Sequence, residues 1–167
     1  MILLAILTLT LAASSLQAQQ VADLAPQYRI RNVGGSCGHA TTGMALRWLQ
    51  LESLGDRWWG TYRGGENFGR HCNRLRRHGI KFIYTTDGDV ELLNYAAKSR
   101  RGAILYFPPG HIVFFAGYKD GMAVILDNNR IRQHEFHEWN RLVQRWIANG
   151  GEAIVITDGS PPPQYPV

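Results

Sequence analysis

A chain of 167 residues, 45% apolar and 19% charged, is long enough to bury one core without metal or disulfide staples and too apolar to be a disordered polypeptide. A formal net charge of +5 and a pI near 9.5 exclude an acidic solvating segment and admit anionic partners. Two cysteines, Cys37 and Cys72, exclude a disulfide-dense scaffold but leave room for a single bridge.

The opening stretch MILLAILTLTLAASSLQAQQ carries no charged side chain. Its apolar run ends near Ala13, too short to span a bilayer comfortably but of the length expected for a signal-peptide core. LQA, ending at Ala18, supplies small residues for cleavage, so residues 1–18 read as a signal peptide and the protein as secreted or periplasmic. A buried first helix is the alternative. Whether the segment is removed or kept as an anchor stays open.

Residues 19–31 read as an extended lead-in, and NVGGSCGHA (32–40) as a glycine-rich turn. ATTGMALRWLQLESLG follows with a helical pattern: Met44, Trp48 and Leu51 recur at spacings of four and three, and Gly55 is the expected stop. RWWGTYRGGENFG reads as a loop with short structure. FGRHCNRLRRHG predicts a basic helix closed by Gly79, and IKFIYTT a strand. DGDVELLNYAAKSRRG predicts a third helix, capped by Asp87 or Asp89 and stopped by Gly102. AILYF, HIVFFAGY and AVILDN predict three consecutive strands, with a tight hairpin at Lys119–Gly121. HEFHEWNRLVQRW predicts a short helix, EAIVIT a last strand, and residues 159–167 a proline-rich tail. Helices followed by an antiparallel sheet give an α+β class, one domain over residues 19–158, with the first long helix packed on a small twisted sheet or half-barrel.

A cysteine at a helix N-terminus lies at the positive end of the helix dipole, which favours the thiolate. Cys37 is so placed, and Gly34, Gly35 and Gly38 let a substrate backbone and oxyanion-binding N–H groups approach it. His111 opens a strand. With the hairpin centred on Asp120, position 111 pairs with about 129, so the run 127–129 lies beside the imidazole. An acid or amide there can hold one ring nitrogen and aim the other at the thiol.

Cysteine on a helix, then histidine and aspartate or asparagine on neighbouring strands, resembles the papain-like cysteine peptidases. The nearest likeness is to the bacterial peptidases that process double-glycine leaders. GGSCGHATTGMALRWL and GHIVFFAGYKDGMAVILDN carry the resemblance, RLRRHGI and LLNYAAKSRRGAILYF also fit, and the likeness spans residues 30–157. It implies a papain-like fold with Cys37 as nucleophile, His111 as general base and Asp127 as orienter, with Asn128 as the alternative orienter. Where those peptidases place an oxyanion-binding Gln, this chain has Arg31, and the neighbouring Asn32 offers the same carboxamide donor. The residue after Asp127 is Asn128 in place of the common Pro.

The expected function is an exported thiol peptidase that needs no cofactor or metal. Two alternatives stand beside it: a thiol amidase or acyltransferase on cell-wall or isopeptide substrates, and a catalytically silent binding module with a Cys37–Cys72 disulfide. The expected partners are a peptide or protein substrate and, through Arg70, Arg74, Arg76, Arg77 and Lys81, an anionic envelope polymer. No motif points to specific nucleic-acid binding, and a monomer is expected. His134 and His137 share a predicted helix face without further ligands and read as surface residues, and His71 with Cys72, only two adjacent potential ligands, is a weaker metal candidate still. His39 reads as packing on the helix, with tuning of the thiol as the alternative. Trp48, Trp58 and Trp59 read as core filling.

Overall fold

Strands whose two faces are both apolar belong in the middle of a layered fold, and three segments here have that character. The computed structural model describes residues 21–23, 26–130 and 133–163. The signal-peptide expectation for residues 1–18 lies outside them, as do residues 164–167 of the tail. Among the described residues no helix is long and apolar enough to cross a membrane.

The strands are β1 (Val21–Asp23), β2 (Phe82–Thr85), β3 (Ala103–Phe107), β4 (His111–Lys119), β5 (Met122–Leu126), β6 (Gln133–Glu138) and β7 (Ala153–Ile156). They form one antiparallel sheet in the order β1-β6-β5-β4-β3-β7-β2. The helices are α1 (Cys37–Trp48), α2 (Glu52–Thr61), α3 (Phe68–Arg77), α4 (Val90–Lys98) and α5 (Trp139–Ala148). The class is therefore α+β, as the element pattern implies.

Helices cover both faces of the sheet. Ile104, Tyr106, Ile112, Phe114, Val124, Leu126, Ile154 and Ile156 share one core with Met44, Trp48, Trp58 and Leu75 of α1, α2 and α3. The intervening residues Leu105, Val113, Phe115, Ile125 and Val155 share a second core with Leu93, Leu142 and Trp146 of α4 and α5. This strict alternation explains why AILYF is apolar at every position: all five residues are buried.

Three sequence expectations are corrected. First, α1 stops at Trp48 rather than running to Gly55, because Gln50 takes a left-handed φ of 60°. Second, residues 52–61, read as the end of one helix and a loop, form α2. Gly55 is no stop. It is where α2 crosses α1, and a Cβ there would lie 2.9 Å from the Gly43 carbonyl oxygen. Third, Gln133–Glu138 is a strand between β1 and β5, and α5 begins only at Trp139. Glu138 is the cap: its carboxylate accepts from Asn140 N at 2.9 Å and Arg141 N at 2.7 Å.

The lead-in is not extended throughout, because Pro26–Tyr28 forms a 3-10 turn, while the remaining boundaries agree to within a few residues. Asp89 caps α4 by accepting from Glu91 N at 2.9 Å, while Asp87 instead accepts from the Thr85 hydroxyl at 2.6 Å. The described part of the tail lies against the body through Ser160 N to Leu49 O, 2.9 Å.

Candidate active site

The nucleophile candidate is the first residue of α1. Gly34 and Gly35 have φ of 57° and 75°, left-handed values that turn the chain sharply before the helix. Ser36 precedes Cys37 but its hydroxyl does not cap the helix. It accepts instead from Gly64 N at 2.8 Å, fixing the entry turn to the α2–α3 connection. The N–H groups of the first turn are thus left for other partners, and the positive end of the helix dipole meets the sulfur.

The hairpin delivers the base, by a different route from simple counting. The turn is Asp120–Gly121, with φ of 50° and 77° and Lys119 opposite Met122. That register alone would set residue 111 opposite 130. A bulge between Phe115 and Gly117 shifts it by one, so that Phe114 faces Leu126 and the line extends to 111 opposite 129.

His111 Nε2 meets Asp127 Oδ1 at 2.6 Å, and the imidazole and the Cys37 thiol are close enough that each shifts the other's pKa. Since Nε2 is on the carboxylate, the thiol contact falls to Nδ1. Burial, the largest single influence, pushes Asp127 up, but the His111 hydrogen bond, the Asn129 N–H at 2.8 Å and the nearby positive charges together hold it below its ordinary pKa. Asp127 first, then Cys37, lifts the His111 imidazole to about 9 against the effect of burial. Burial alone would raise the thiol, yet the His111 hydrogen bond, the backbone at Ile112 and Gly38, and the imidazolium charge bring it below its usual range. Both shifts favour a thiolate–imidazolium pair.

Asn128 has a different role. Fully buried, its amide donates to Ile112 O (2.7 Å), Thr41 Oγ1 (2.8 Å) and Cys37 O (3.2 Å), fastening the start of α1 to β4. The orienting position therefore goes to Asp127, and the alternative orienter Asn128 does not contact the imidazole.

Asn32 lines the cavity and its backbone N–H donates to Asn128 O at 2.9 Å. Its side-chain amide lies 3.1 Å from the Asn129 carboxamide, which in turn lies 3.3 Å from His111 Nε2. Asn129 turns its NH2 to that nitrogen, and the Asn32 oxygen is buried without a donor. His111 Nε2 gives its proton to Asp127, so Asn129 should present oxygen there and NH2 to the Asn32 oxygen. Arg31, by contrast, is exposed and does not line the cavity.

Cys37, His111 and Asn32 open on one cavity of about 580 Å3, walled by Glu66, Tyr106 and the Pro108–Gly110 turn. Cys72 is buried, its thiol pushed up to about 11 by burial, and both cysteines are free thiols.

The other sequence candidates fall elsewhere. His137 lies on β6 with Nε2 3.3 Å from Glu135 Oε2, and the His134 side chain lies outside the described residues. Trp48 and Trp58 are core residues, whereas Trp59 is half-buried under the Arg63 guanidinium, 4.0 Å from its ring centre. On α3, Arg74 is committed to Glu66 (2.9 Å) and Arg76 lies over Phe82 and Tyr84, which thins the basic face. His39 packs on Trp58, Tyr62 and His71. Sequence reasoning missed Asn129, whose position in the 127–129 run was in view but whose link to Asn32 was not, and Glu66, for which no local pattern exists. No family model matches the chain, and no curated protein matches it.

Proposed function

We propose that the protein is an exported cysteine hydrolase of papain-like architecture that cleaves a peptide or closely related amide bond. One observation carries the reading: a cysteine at a helix N-terminus shares a cavity with an imidazole that lowers its pKa and whose Nε2 is held by a carboxylate at 2.6 Å. The Cys37 thiolate attacks the substrate carbonyl carbon, and the Cys37 N–H with the Asn32 amide receives the developing oxyanion. His111 returns its proton to the departing amine, leaving a thioester on Cys37. Water then gives a proton to His111 and attacks the thioester, and the thiolate departs with the acid as product.

An amidase or acyltransferase uses the same first half-reaction and differs in the leaving amine or in the acceptor of the thioester. The silent-module reading loses its main support with both thiols free.

Iodoacetamide labelling at neutral pH tests the assignment. Cys37 should label well before Cys72, and His111→Ala should slow Cys37 alone. Equal labelling of both cysteines, or a Cys37 rate indifferent to His111, refutes it. A panel of peptide, isopeptide and muropeptide substrates then separates peptidase from amidase and transferase.

A further inference from the structure

A second polar group lies beside the nucleophile's helix, and the hydrolysis scheme makes no use of it. His39 on α1, Glu66 in the α2–α3 connection and His71 on α3 each present one potential ligand atom, all within 4.8 Å of one another. His71 Nδ1 is 2.8 Å and His39 Nε2 3.5 Å from Glu66 Oε1. The two histidines are 2% and 0% exposed. The other carboxylate oxygen, Oε2, belongs to Arg74 at 2.9 Å, and that guanidinium also lies over the Tyr62 ring.

Hydrogen counting shows what the group lacks. Thr42 Oγ1 has one hydrogen, and Gly38 O, 3.0 Å away and one helical turn back, takes it. His71 Nε2, 2.6 Å from the same hydroxyl oxygen, must then be the donor. In the neutral ring this leaves a lone pair on Nδ1 beside a carboxylate oxygen. The Nδ1 atoms of both histidines are buried without an assigned hydrogen-bond partner, that of His71 although it lies 2.8 Å from Glu66 Oε1. His71 Nδ1, His39 Nε2 and Glu66 Oε1 thus gather three potential donor atoms in a buried spot, an arrangement that a cation would satisfy.

We propose that His39, Glu66 and His71 bind a divalent transition metal of the zinc type. Two nitrogens and one carboxylate oxygen are a donor set that such ions accept with one position open. The outer supports are already in place: Thr42 fixes the His71 tautomer, and Arg74 fixes the unused carboxylate oxygen. The way in is the cavity above Cys37, because Glu66 lines it together with Tyr106, whose buried hydroxyl has no partner and whose ring meets that of His71 edge-on. A bound ion would tie α3 to the first turns of α1 and so steady the nucleophile, without entering the reaction.

Cobalt(II) titration of the full chain carrying Cys37→Ser, which removes the competing thiolate, tests this independently of hydrolase activity. One equivalent should bind with visible absorption of a low-coordinate histidine–carboxylate site, and zinc should displace it and raise Tm. His39→Gln and His71→Gln should each abolish the band, and Thr42→Val should weaken binding by about 10- to 100-fold. If those variants fail to fold, zinc-dependent shifts of the His39 and His71 ring nitrogens in the Cys37→Ser chain read the same contact. Absence of any spectral or Tm response, as when a proton alone fills the gap, overturns the proposal. So does a band that survives His39→Gln and His71→Gln, or ring shifts confined to His111 or His137.

Discussion

Replacing Asp127 by Asn tests the electrostatic core of the site at nearly constant shape. The carboxylate is the largest cause of the raised His111 pKa, with the thiol second. The gap between about 9 and the ordinary 6.5 is 2.5 pH units, so Asp127→Asn should lower the His111 midpoint by up to about that much, less the share due to Cys37. A drop of one unit already corresponds to about 1.4 kcal/mol between the two charge states. The sign for activity follows. The productive pair needs Cys37 deprotonated and His111 protonated, so the rate rises as the thiol loses its proton and falls as the imidazole loses its own near 9. In Asp127→Asn the falling limb should move to lower pH, and the weakened imidazolium should let the thiol drift up, narrowing the profile from both sides. Ring NMR reads the histidine midpoint, and the pH dependence of iodoacetamide alkylation reads the thiol. The same titration in Cys37→Ser apportions the shift between the two partners. A wild-type His111 that titrates near 6.5, or one unmoved by Asp127→Asn, would refute the reasoning.

Asn128→Ala removes a buried amide that donates to Ile112 O, Thr41 Oγ1 and Cys37 O. It should cost about 1–3 kcal/mol in denaturant unfolding while leaving the His111 midpoint near its wild-type value. Asn32→Ala should lower turnover of any cleaved substrate by about 10- to 1,000-fold with little change in the Cys37 alkylation rate, because an oxyanion donor acts only on the transition state. Gly55→Ala forces a Cβ to 2.9 Å from the Gly43 carbonyl and should destabilise the α1–α2 crossing by about 1–3 kcal/mol, read as a lowered midpoint in thermal unfolding. Trp48→Ala empties a position at 1% exposure and strands the Arg100 carbonyl that its indole meets at 2.8 Å, so about 3–5 kcal/mol should be lost by the same measurement.

What could be read from the sequence was what short-range pattern encodes. Gly-Gly-Ser-Cys before an apolar helical stripe marks the start of α1, and apolar runs split by Pro-Pro-Gly and Lys-Asp-Gly mark β3, β4 and β5. Failures came where tertiary contacts decide. Gly55 stands where a stop was expected, but close approach to Gly43 explains it, and that reason lies twelve residues upstream. His134, Glu135, His137 and Glu138 can be spaced as a helix face or as alternating strand positions. The open edge of β5 selects the strand. His39, Glu66 and His71 share no periodic relation, and only the packing of α3 beside α1 brings them together.

The three residues after β5 show how one backbone irregularity can set a whole site. In an extended segment successive side chains point to opposite sides. Asp127 and Asn129 accordingly both reach the same nitrogen of His111, while Asn128 between them turns into the protein to hold α1. Base orientation, link to Asn32 and attachment of the nucleophile's helix thus come from one tripeptide. Its assignment of faces depends on parity, and the bulge at Phe115–Gly117 sets the parity of β4 against β5. Were Ala116 paired in regular register instead of bulged, the strand would carry His111 toward position 130, whose side chain lies on the other face of the ribbon from Asp127 and Asn129. A histidine with no carboxylate behind it would keep neither a pKa near 9 nor a fixed aim at the sulfur. The bulge is therefore part of the site, although none of its atoms touches the thiol.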